Sequence, residues 1–291
     1  MSQSLQKKIT FDYAQIGGMK LHYATAGSGN KLVILLHGFP EFWYSWRYQL
    51  VALSDAYTVV APDLRGYNLS DKPENVSDYD SEKLVDDVVG LIRHLQHKKA
   101  AIIGHDWGAS IAWAVAARNP ECVWKLACLQ VPPPSIWKKN QTFKQFLATW
   151  YMFFFQLPKL PEWLLSRNDF ARLANALKTK TARNDAFTDE DLIEYKKVWS
   201  QPGTLTSAIN YYRANVIKRL VGKGPKPEKI KVPTLFLYGE KDHAILPETV
   251  EGVGEFIDAE YTEVRIPDAA HWVQNEAKKE VTKALREFLA K

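Results

Sequence analysis

The residue with the clearest chemical potential is Asp106, at the centre of Gly104-His-Asp-Trp-Gly108. This motif follows a short apolar run and precedes a helix-like segment, Ala109–Arg118. Small residues two positions before and after a nucleophile are typical of a nucleophile elbow, a turn too sharp for larger side chains. A carboxylate in place of serine or cysteine favours attack on saturated carbon, which forms a covalent alkyl ester. The alternative is that Asp106 only caps the helix, whose N-terminus would also favour an ionised carboxylate.

A second motif, His37-Gly-Phe-Pro40, ends an earlier apolar run and predicts an oxyanion hole. Beside a nucleophile elbow, one backbone N–H comes from a loop of this kind and the other from the residue after the nucleophile. The predicted donors are therefore the main chains of Phe39 and Trp107. Taken alone, the motif would be only a tight turn, but the presence of an elbow elsewhere in the chain favours the functional interpretation.

His271 follows the last strand-like run and is the candidate general base. A lone late histidine is more often structural, but the chain order of nucleophile, acid and histidine suits a base at this position. Asp242 also follows a strand-like run and could orient the imidazole. Glu240 and Asp268 compete for that role, although Asp268 is so close to His271 in sequence that we expect it to shape the loop instead.

No metal or other cofactor is expected. His105 lies beside the nucleophile but has no ligand pair with metal spacing around it, so we predict a supporting role. His243 is expected to be exposed. Cys122 and Cys128 are the two cysteines of the chain and form no C-x-x-C pair. This argues against a disulfide scaffold or a zinc ribbon and favours a reducing compartment.

These residues need a sheet to position them, and the sequence predicts one. Short apolar runs bounded by Gly or Pro are typical of strands buried on both faces of a parallel sheet. The runs are Leu32–Leu36, Thr58–Ala61, Ala100–Ile103, Leu126–Leu129 and Leu235–Tyr238, and the last strand pattern is Tyr261–Ile266. Between them, Ser81–Leu95 has a capping serine and apolar residues at helical spacing. The alternation predicts an α/β fold with a mostly parallel sheet and helices on both faces.

The middle of the chain lacks such runs and predicts an insertion. From Pro132 to about Pro227 the pattern is helical and rich in aromatic and basic residues, and it closes with the linker-like Gly222-Lys-Gly-Pro-Lys-Pro227. Strand patterning resumes at Val232. We therefore predict a sheet domain of residues 1–132 and 228–291 and a helical insertion of residues 133–227.

Composition excludes several classes of protein. The chain has 38 basic and 33 acidic residues, a net charge of +5 that is spread along its length, which disfavours a nucleic-acid partner. Met1–Thr10 has no apolar signal core, and Phe146–Leu157 is too short to span a bilayer. We therefore expect a cytoplasmic protein without a transmembrane segment. The ten Trp and thirteen Tyr residues suit either an apolar pocket with polar handles or a bulky core.

The motifs together resemble the α/β-hydrolase-fold epoxide hydrolases of the soluble type, without the N-terminal phosphatase domain of some animal members. The resemblance rests on His37–Arg47 (HGFPEFWYSWR), on Asp106 within GHDWG and on Asp63-Leu-Arg-Gly-Tyr67, and it covers nearly the whole chain. It implies that the insertion is the helical cap of that family. One departure is Asn68, where the family usually has glycine; Asn tolerates a left-handed backbone, so we expect only a local change.

The resemblance also implies two cap tyrosines that activate the epoxide oxygen. Tyr151 matches the first and Tyr212 the second, with the adjacent Tyr211 as the alternative for the second. The substrate would be a small apolar epoxide, bound by these tyrosines together with Phe39 and Trp107.

The implied reaction opens an epoxide on Asp106 and hydrolyses the ester with water that His271 activates, which gives a vicinal diol. A haloalkane dehalogenase is the main alternative, because it uses the same Asp nucleophile and a tryptophan at the position of Trp107. Such enzymes resemble HGNP rather than HGFP at the loop of Phe39, and they lack the tyrosine pair. A non-catalytic ligand receptor on the same fold is disfavoured because such proteins usually lose or exchange a triad member.

Overall fold

The computed structural model of the protein describes residues 8–220 and 229–291, and a central sheet organises them. The strands of this sheet are β1 Thr10–Ile16, β2 Met19–Ala26, β3 Leu32–Leu36, β4 Thr58–Pro62, β5 Ala100–His105, β6 Val123–Leu129, β7 Thr234–Gly239 and β8 Tyr261–Ile266. Their order is β1-β2-β4-β3-β5-β6-β7-β8. The pairs β1–β2 and β2–β4 are antiparallel, and the remaining neighbours are parallel. The predicted α/β fold with a mostly parallel sheet is confirmed.

Strands β3 to β7 contain the apolar runs, and burial on both faces explains why. In β3, Leu32, Ile34 and Leu36 belong to one hydrophobic core, whereas Val33 and Leu35 belong to the other. A strand between two cores has no position for a polar side chain, so its sequence is a continuous apolar run.

Strands β1 and β2 were not predicted from apolar runs. Most side chains of β1 are exposed, so the strand has no continuous apolar stretch. The two strands form a hairpin through Gly17 and Gly18, both with positive φ (54° and 83°). A two-residue turn with this backbone suits the right-handed twist of the flanking strands.

Helices α1 Arg47–Leu53, α2 Ser81–His94 and α3 Trp107–Arg118 precede the insertion and cover the sheet. Helix α2 is the one predicted from its spacing, and its apolar side chains are buried. It packs with α3 in the core that contains Ile34, while α1 belongs to the core that contains Val33.

Between β6 and β7 the described residues form six helices and no strand. They are α4 Pro134–Lys139, α5 Phe143–Ala148, α6 Trp150–Phe154, α7 Leu160–Thr179, α8 Asp189–Trp199 and α9 Thr204–Leu220. We call residues 134–220 the helical insertion. The predicted linker, residues 222–227, lies outside the described residues. The division of the chain into a core and a cap at residues 133–227 stays a prediction.

The chain ends with α10 Val273–Glu276 and α11 Lys278–Ala290, which pack on the Val33 side of the sheet. The carboxyl ends of β3, β5, β7 and β8 meet at one edge, because these strands are parallel. The loops that leave this edge carry the residues predicted for chemistry. Across residues 8–220 and 229–291, no helix is long and apolar enough to cross a membrane.

Candidate active site

Asp106 occupies a strained turn between β5 and α3, with φ 52° and ψ −118°. Such a backbone is costly for any residue except glycine and persists only where the surroundings enforce it. Close packing provides that enforcement. A Cβ at Gly104 would collide with the backbone of Gly108, and a Cβ at Gly108 would collide with the carbonyl of Leu36. The glycines of the motif therefore have the steric role that an elbow requires.

The loop after β3 approaches the carboxylate of Asp106 directly. The backbone N–H of Phe39 donates to Asp106 Oδ1 at 2.8 Å. A Cβ at Gly38 would collide with the Asp106 side chain, so glycine is needed for this approach. Trp107 is the first residue of α3, and its backbone N–H is one of the helix-end donors that lack an intrahelical acceptor. Both predicted oxyanion-hole donors thus lie beside Asp106.

His271 lies between two carboxylates. Its Nε2 is 3.6 Å from Asp106 Oδ2, and its Nδ1 is 2.8 Å from Asp242 Oδ2. Asp242 is buried, and its Oδ1 accepts hydrogen bonds from the backbone N–H groups of Ala244 and Ile245 at 2.7 and 3.0 Å. These bonds hold the carboxylate in one orientation, so Asp242 can in turn hold the imidazole.

The charges in this group stabilise one another despite burial. Burial opposes ionisation of Asp106, but the hydrogen bond and charge of His271, with help from His105 and the Phe39 N–H, bring the pKa of Asp106 below its ordinary value. Burial likewise opposes the charged form of His271, yet the negative charges of Asp242 and Asp106 raise its pKa well above the ordinary value. The pKa of Asp242 is lowered in the same way. The two carboxylates thus favour the charged form of the imidazole, and its charge favours theirs.

The acids that competed with Asp242 in the sequence lie elsewhere. Asp268 is exposed and pairs with Arg183 at 2.9 Å. Glu240 is half-buried and, among the described residues, forms no hydrogen bond with His271. His243, next to Asp242 in sequence, is exposed as expected.

His105 supports the site from the side of the sheet. It is fully buried, with Nδ1 2.8 Å from Glu41 Oε2 and Nε2 2.7 Å from the backbone carbonyl of His271. Glu41 also accepts a hydrogen bond from the backbone N–H of Gly38 at 3.0 Å. The pair therefore connects the oxyanion-hole loop with the loop of the candidate base. In the described part of the chain, no cluster of His, Cys, Asp and Glu could hold a metal ion.

Tyr151 on α6 and Tyr212 on α9 bring two phenols to the side of the site that faces the insertion. Their rings are 6.0 Å apart, and the Tyr212 ring packs against Phe39 at 5.6 Å and Trp107 at 5.1 Å. Burial, reinforced by the negative charge of Asp106, raises the pKa of both tyrosines. The phenols therefore stay protonated at neutral pH. A hydrogen bond with Trp107 acts in the opposite direction on the pKa of Tyr212, but burial outweighs it.

Tyr211 points away from this group. Its hydroxyl donates to the backbone carbonyl of Arg65 at 2.8 Å, and its ring packs against Tyr67 and Tyr79. A phenol already committed to a buried carbonyl cannot donate to a ligand beside Asp106. The geometry therefore favours Tyr212 over Tyr211.

Asn68 has the left-handed conformation that was expected, with φ 44°. Its side chain donates a hydrogen bond to the fully buried Asp63 at 2.8 Å. Asp63 also lies 2.6 Å from His22 Nδ1 and accepts a hydrogen bond from the Trp43 N–H at 3.0 Å. The side-chain oxygen of Asn68 accepts a hydrogen bond at 2.9 Å from the side-chain amide of Gln201, which belongs to the insertion. In place of glycine, asparagine thus adds a contact between the sheet and the insertion.

Three residues near the site were not identified from the sequence. Glu41 was visible in HGFPEFWYSWR, but its burial was not. Phe155 forms part of an apolar wall, 5.5 Å from Phe39 and 5.0 Å from Tyr212. Gln130 donates to Asp242 Oδ2 at 2.6 Å from the loop after β6. An amide after β6 thus holds the acid that follows β7.

Comparison with known proteins agrees with this geometry. A model of the alpha/beta hydrolase fold family matches residues 31–278. The chain is 38% identical over 285 residues to the AB hydrolase superfamily protein YfhM of Bacillus subtilis, covering 97% of this chain and 98% of the relative. It is 38% identical over 287 residues to Epoxide hydrolase 1 of Caenorhabditis elegans, covering 96% of this chain and 70% of the relative.

A solved structure is similar over almost the full length. The Bacillus megaterium epoxide hydrolase in complex with an inhibitor superimposes with a TM-score of 0.86 at 31% identity, covering 96% of this chain and 100% of that chain. The resemblance seen in the motifs is therefore confirmed: the chain belongs to the epoxide hydrolase family of α/β-hydrolase-fold proteins.

Proposed function

We propose that the protein is an epoxide hydrolase that opens a small apolar epoxide to a vicinal diol through a covalent ester on Asp106. The observation that carries the proposal is one partly buried carboxylate, that of Asp106, between two sets of partners. On one side are the Phe39 N–H at 2.8 Å and His271 Nε2 at 3.6 Å. On the other side are the protonated phenols of Tyr151 and Tyr212.

In the first step, Asp106 attacks an epoxide carbon while Tyr151 and Tyr212 donate hydrogen bonds to the ring oxygen. An alkoxide is a poor leaving group, so the ring opens readily only if a proton reaches the oxygen as the C–O bond breaks. Well-placed acids of this kind typically accelerate a reaction by about 10²–10⁴-fold. The product of this step is a hydroxyalkyl ester of Asp106 and one phenolate.

In the second step, His271 becomes a base because the ester removes the charge of Asp106. That charge is one of the causes of the raised pKa of His271. With it neutralised, the imidazolium can give up its proton, which restores the phenol. The neutral imidazole, held by Asp242, then takes a proton from water that attacks the ester carbonyl. The N–H groups of Phe39 and Trp107 stabilise the oxyanion, and the diol leaves.

The substrate class follows from the lining of the site. Phe39, Phe155 and the Tyr212 ring form an apolar wall with ring centroids 5.0 to 5.6 Å apart. No cofactor is needed for the reaction, since water and the substrate supply every atom of the product.

The test is a single turnover in water labelled with heavy oxygen. We expect one heavy oxygen in the peptide that contains Asp106, because water attacks the carbonyl of the enzyme ester and not the epoxide carbon. A diol that forms while Asp106 stays unlabelled would contradict the covalent route. A panel of terminal, internal and aryl epoxides alongside haloalkanes, with Asp106→Ala as the inactive control, separates diol formation from halide release.

A further inference from the structure

We propose that the outer side of the helical insertion docks on the surface of a membrane that contains anionic lipids. Between residues 143 and 163, large apolar side chains are exposed in unusual number. They are Phe143, Phe146, Leu147, Trp150, Phe153, Leu157, Leu160 and Trp163, and we call them the outer apolar face. Phe143 is 75% exposed and Trp150 is 59% exposed. Contiguous apolar surface of this kind marks an interaction site in a folded protein.

The outer apolar face is one side of α5 and α6. Phe143 and Leu147 are four residues apart within α5, which places them on one face of that helix, and Trp150 begins α6 directly after it. The rings of Phe146 and Phe153 are 5.2 Å apart, so the two short helices share the surface. Helix α7 extends it with Leu160 and Trp163.

The inner side of the same helices is committed to the protein. Gln145 is fully buried; it donates to the carbonyl of Ala244 at 2.7 Å and accepts from the N–H of Leu246 at 2.8 Å. Tyr151 packs against Phe155 on the same inner side. These contacts fix the orientation of α5 and α6 about their helix axes, so the apolar side chains cannot turn inward.

Cations surround the outer apolar face. Residues 138–167 contain five basic residues and one acid, Glu162, which Arg213 binds at 2.7 Å. The basic residues are Lys138, Lys139, Lys144, Lys159 and Arg167, of which Lys139 pairs with Glu255 at 2.6 Å. Within the described ranges, Lys144 and Lys159 form no ion pair, and Arg167 lies over the Trp163 ring at 4.7 Å. Aromatic residues surrounded by lysine and arginine are typical of helices that lie in the interface of an anionic bilayer.

Two other occupants fit less well. The residues outside the described ranges, 1–7 and 221–228, contain three large apolar side chains, Met1, Leu5 and Val221, which are too few to cover eight. A second copy related by a two-fold axis would bring the same cations against one another. Anionic headgroups complement those cations instead, and the acyl region accepts the aromatic rings. Docking does not depend on the chemistry at Asp106.

The test is cosedimentation of the full chain with lipid vesicles. We expect binding to vesicles of phosphatidylcholine and phosphatidylserine in equal parts, weaker binding to phosphatidylcholine alone, and a decrease with salt. Phe143→Ser combined with Trp150→Ser should weaken binding to both vesicles by roughly tenfold. Lys144→Glu combined with Lys159→Glu should weaken binding only where phosphatidylserine is present, by roughly fivefold or more for each cation.

Ile193→Ser is the matched control, because Ile193 is 54% exposed on α8, outside the outer apolar face. It should leave vesicle binding unchanged, and thermal unfolding of every variant identifies any loss of fold. A folded chain that binds neither vesicle, or binds equally after Phe143→Ser and Trp150→Ser, would overturn the proposal. A dimer in sedimentation equilibrium that Trp150→Ser dissociates would also overturn it and assign the face to a second copy.

Discussion

The two halves of the site are held in different ways. Asp106, Asp242 and His271 leave parallel strands at one edge of the sheet, and directional hydrogen bonds of 2.7 to 3.0 Å hold the carboxylates. Tyr151 and Tyr212 stand on helices of the insertion, and ring contacts of 5.0 to 6.0 Å surround them. Hydrogen bonds lose strength steeply with angle, whereas ring packing tolerates small shifts. The proposed nucleophile and base are therefore positioned more rigidly than the proposed acids.

Many hydrogen bonds connect the sheet part of the chain with the insertion. Arg47 of α1 pairs with Asp191 of α8 at 3.0 Å, and the indole N–H of Trp199 donates to the carbonyl of Pro40 at 2.7 Å. Gln145 connects α5 to the loop that follows Asp242. If the insertion sets only the acids and the pocket, changes there should slow ring opening and leave ester hydrolysis intact. Variants of each half can separate these effects.

His271→Gln should give the largest effect and should affect only the sheet half. Without the base, ester hydrolysis should fall by about 10⁴-fold, the upper end for general base catalysis, while ring opening continues. Mass spectrometry should then find the peptide that contains Asp106 heavier by one substrate molecule. Asp106→Ala is the control that cannot form an adduct. Steady turnover by His271→Gln with an unmodified peptide would exclude His271 as the base.

Removing one phenol should slow ring opening alone. Tyr212→Phe and Tyr151→Phe should each reduce the single-turnover rate of ester formation by about 10²-fold, since one proton donor remains. The hydrolysis rate of the ester, once formed, should not change. Rapid chemical quenching measures both rates, that of ester formation and that of ester hydrolysis.

Tyr211→Phe is the matched control for the phenols. It removes the hydrogen bond to the buried carbonyl of Arg65, so the free energy of unfolding should fall by about 1 kcal/mol. Ester formation should be unchanged because that hydroxyl faces away from Asp106. Equal slowing by Tyr211→Phe and Tyr212→Phe would refute the distinction between the two residues.

The sheet half was accessible from the sequence because its physical constraints are local. A buried strand shows as an apolar run, and the elbow shows as two glycines around Asp106. Strand β1 gives no apolar run, because most of its side chains are exposed. Of the supporting residues, Glu41 and Gln130 act through atoms far away in sequence, so no local pattern identifies them.

The insertion half was less accessible, since helical spacing does not distinguish neighbouring tyrosines by role. Tyr211 and Tyr212 are both buried, and only the carbonyl of Arg65 decides between them. Helix α7 shows the same difficulty: Asn168, Asp169 and Phe170 are left-handed in its middle, with φ of 51°, 53° and 58°. Asn and Asp tolerate that conformation, but nothing in the sequence indicates it for Phe170.

Asp191→Asn should test how firmly the insertion is held. Asp191 accepts from Arg47 at 3.0 Å and from the Tyr44 hydroxyl at 2.8 Å, and all three side chains are buried. Breaking a buried pair leaves an uncompensated charge, so the free energy of unfolding should fall by about 3 kcal/mol in urea denaturation. Asp189→Asn, on the same helix but exposed, is the control and should change stability little. Equal loss in both variants would mean that burial of the pair does not matter.

Trp199→Phe should give the smallest effect and decides whether the insertion also influences the oxyanion hole. The indole N–H of Trp199 is the donor to Pro40, the residue after Phe39, so its loss frees the loop that carries the Phe39 N–H. We expect ester hydrolysis to slow by about two- to tenfold, since small misplacements of catalytic groups reduce rates.

Trp124→Phe provides the matched control for this substitution. Trp124 also donates its indole N–H to a backbone carbonyl, that of Leu32 at 3.1 Å, but at the start of β3, away from Asp106. Both variants lose one hydrogen bond, worth about 1 kcal/mol of stability, so comparing them removes that contribution. Slower hydrolysis only in Trp199→Phe would show that the insertion tunes the sheet half through Pro40. Unchanged hydrolysis in both would mean that the halves act independently, with the insertion limited to the acids and the pocket.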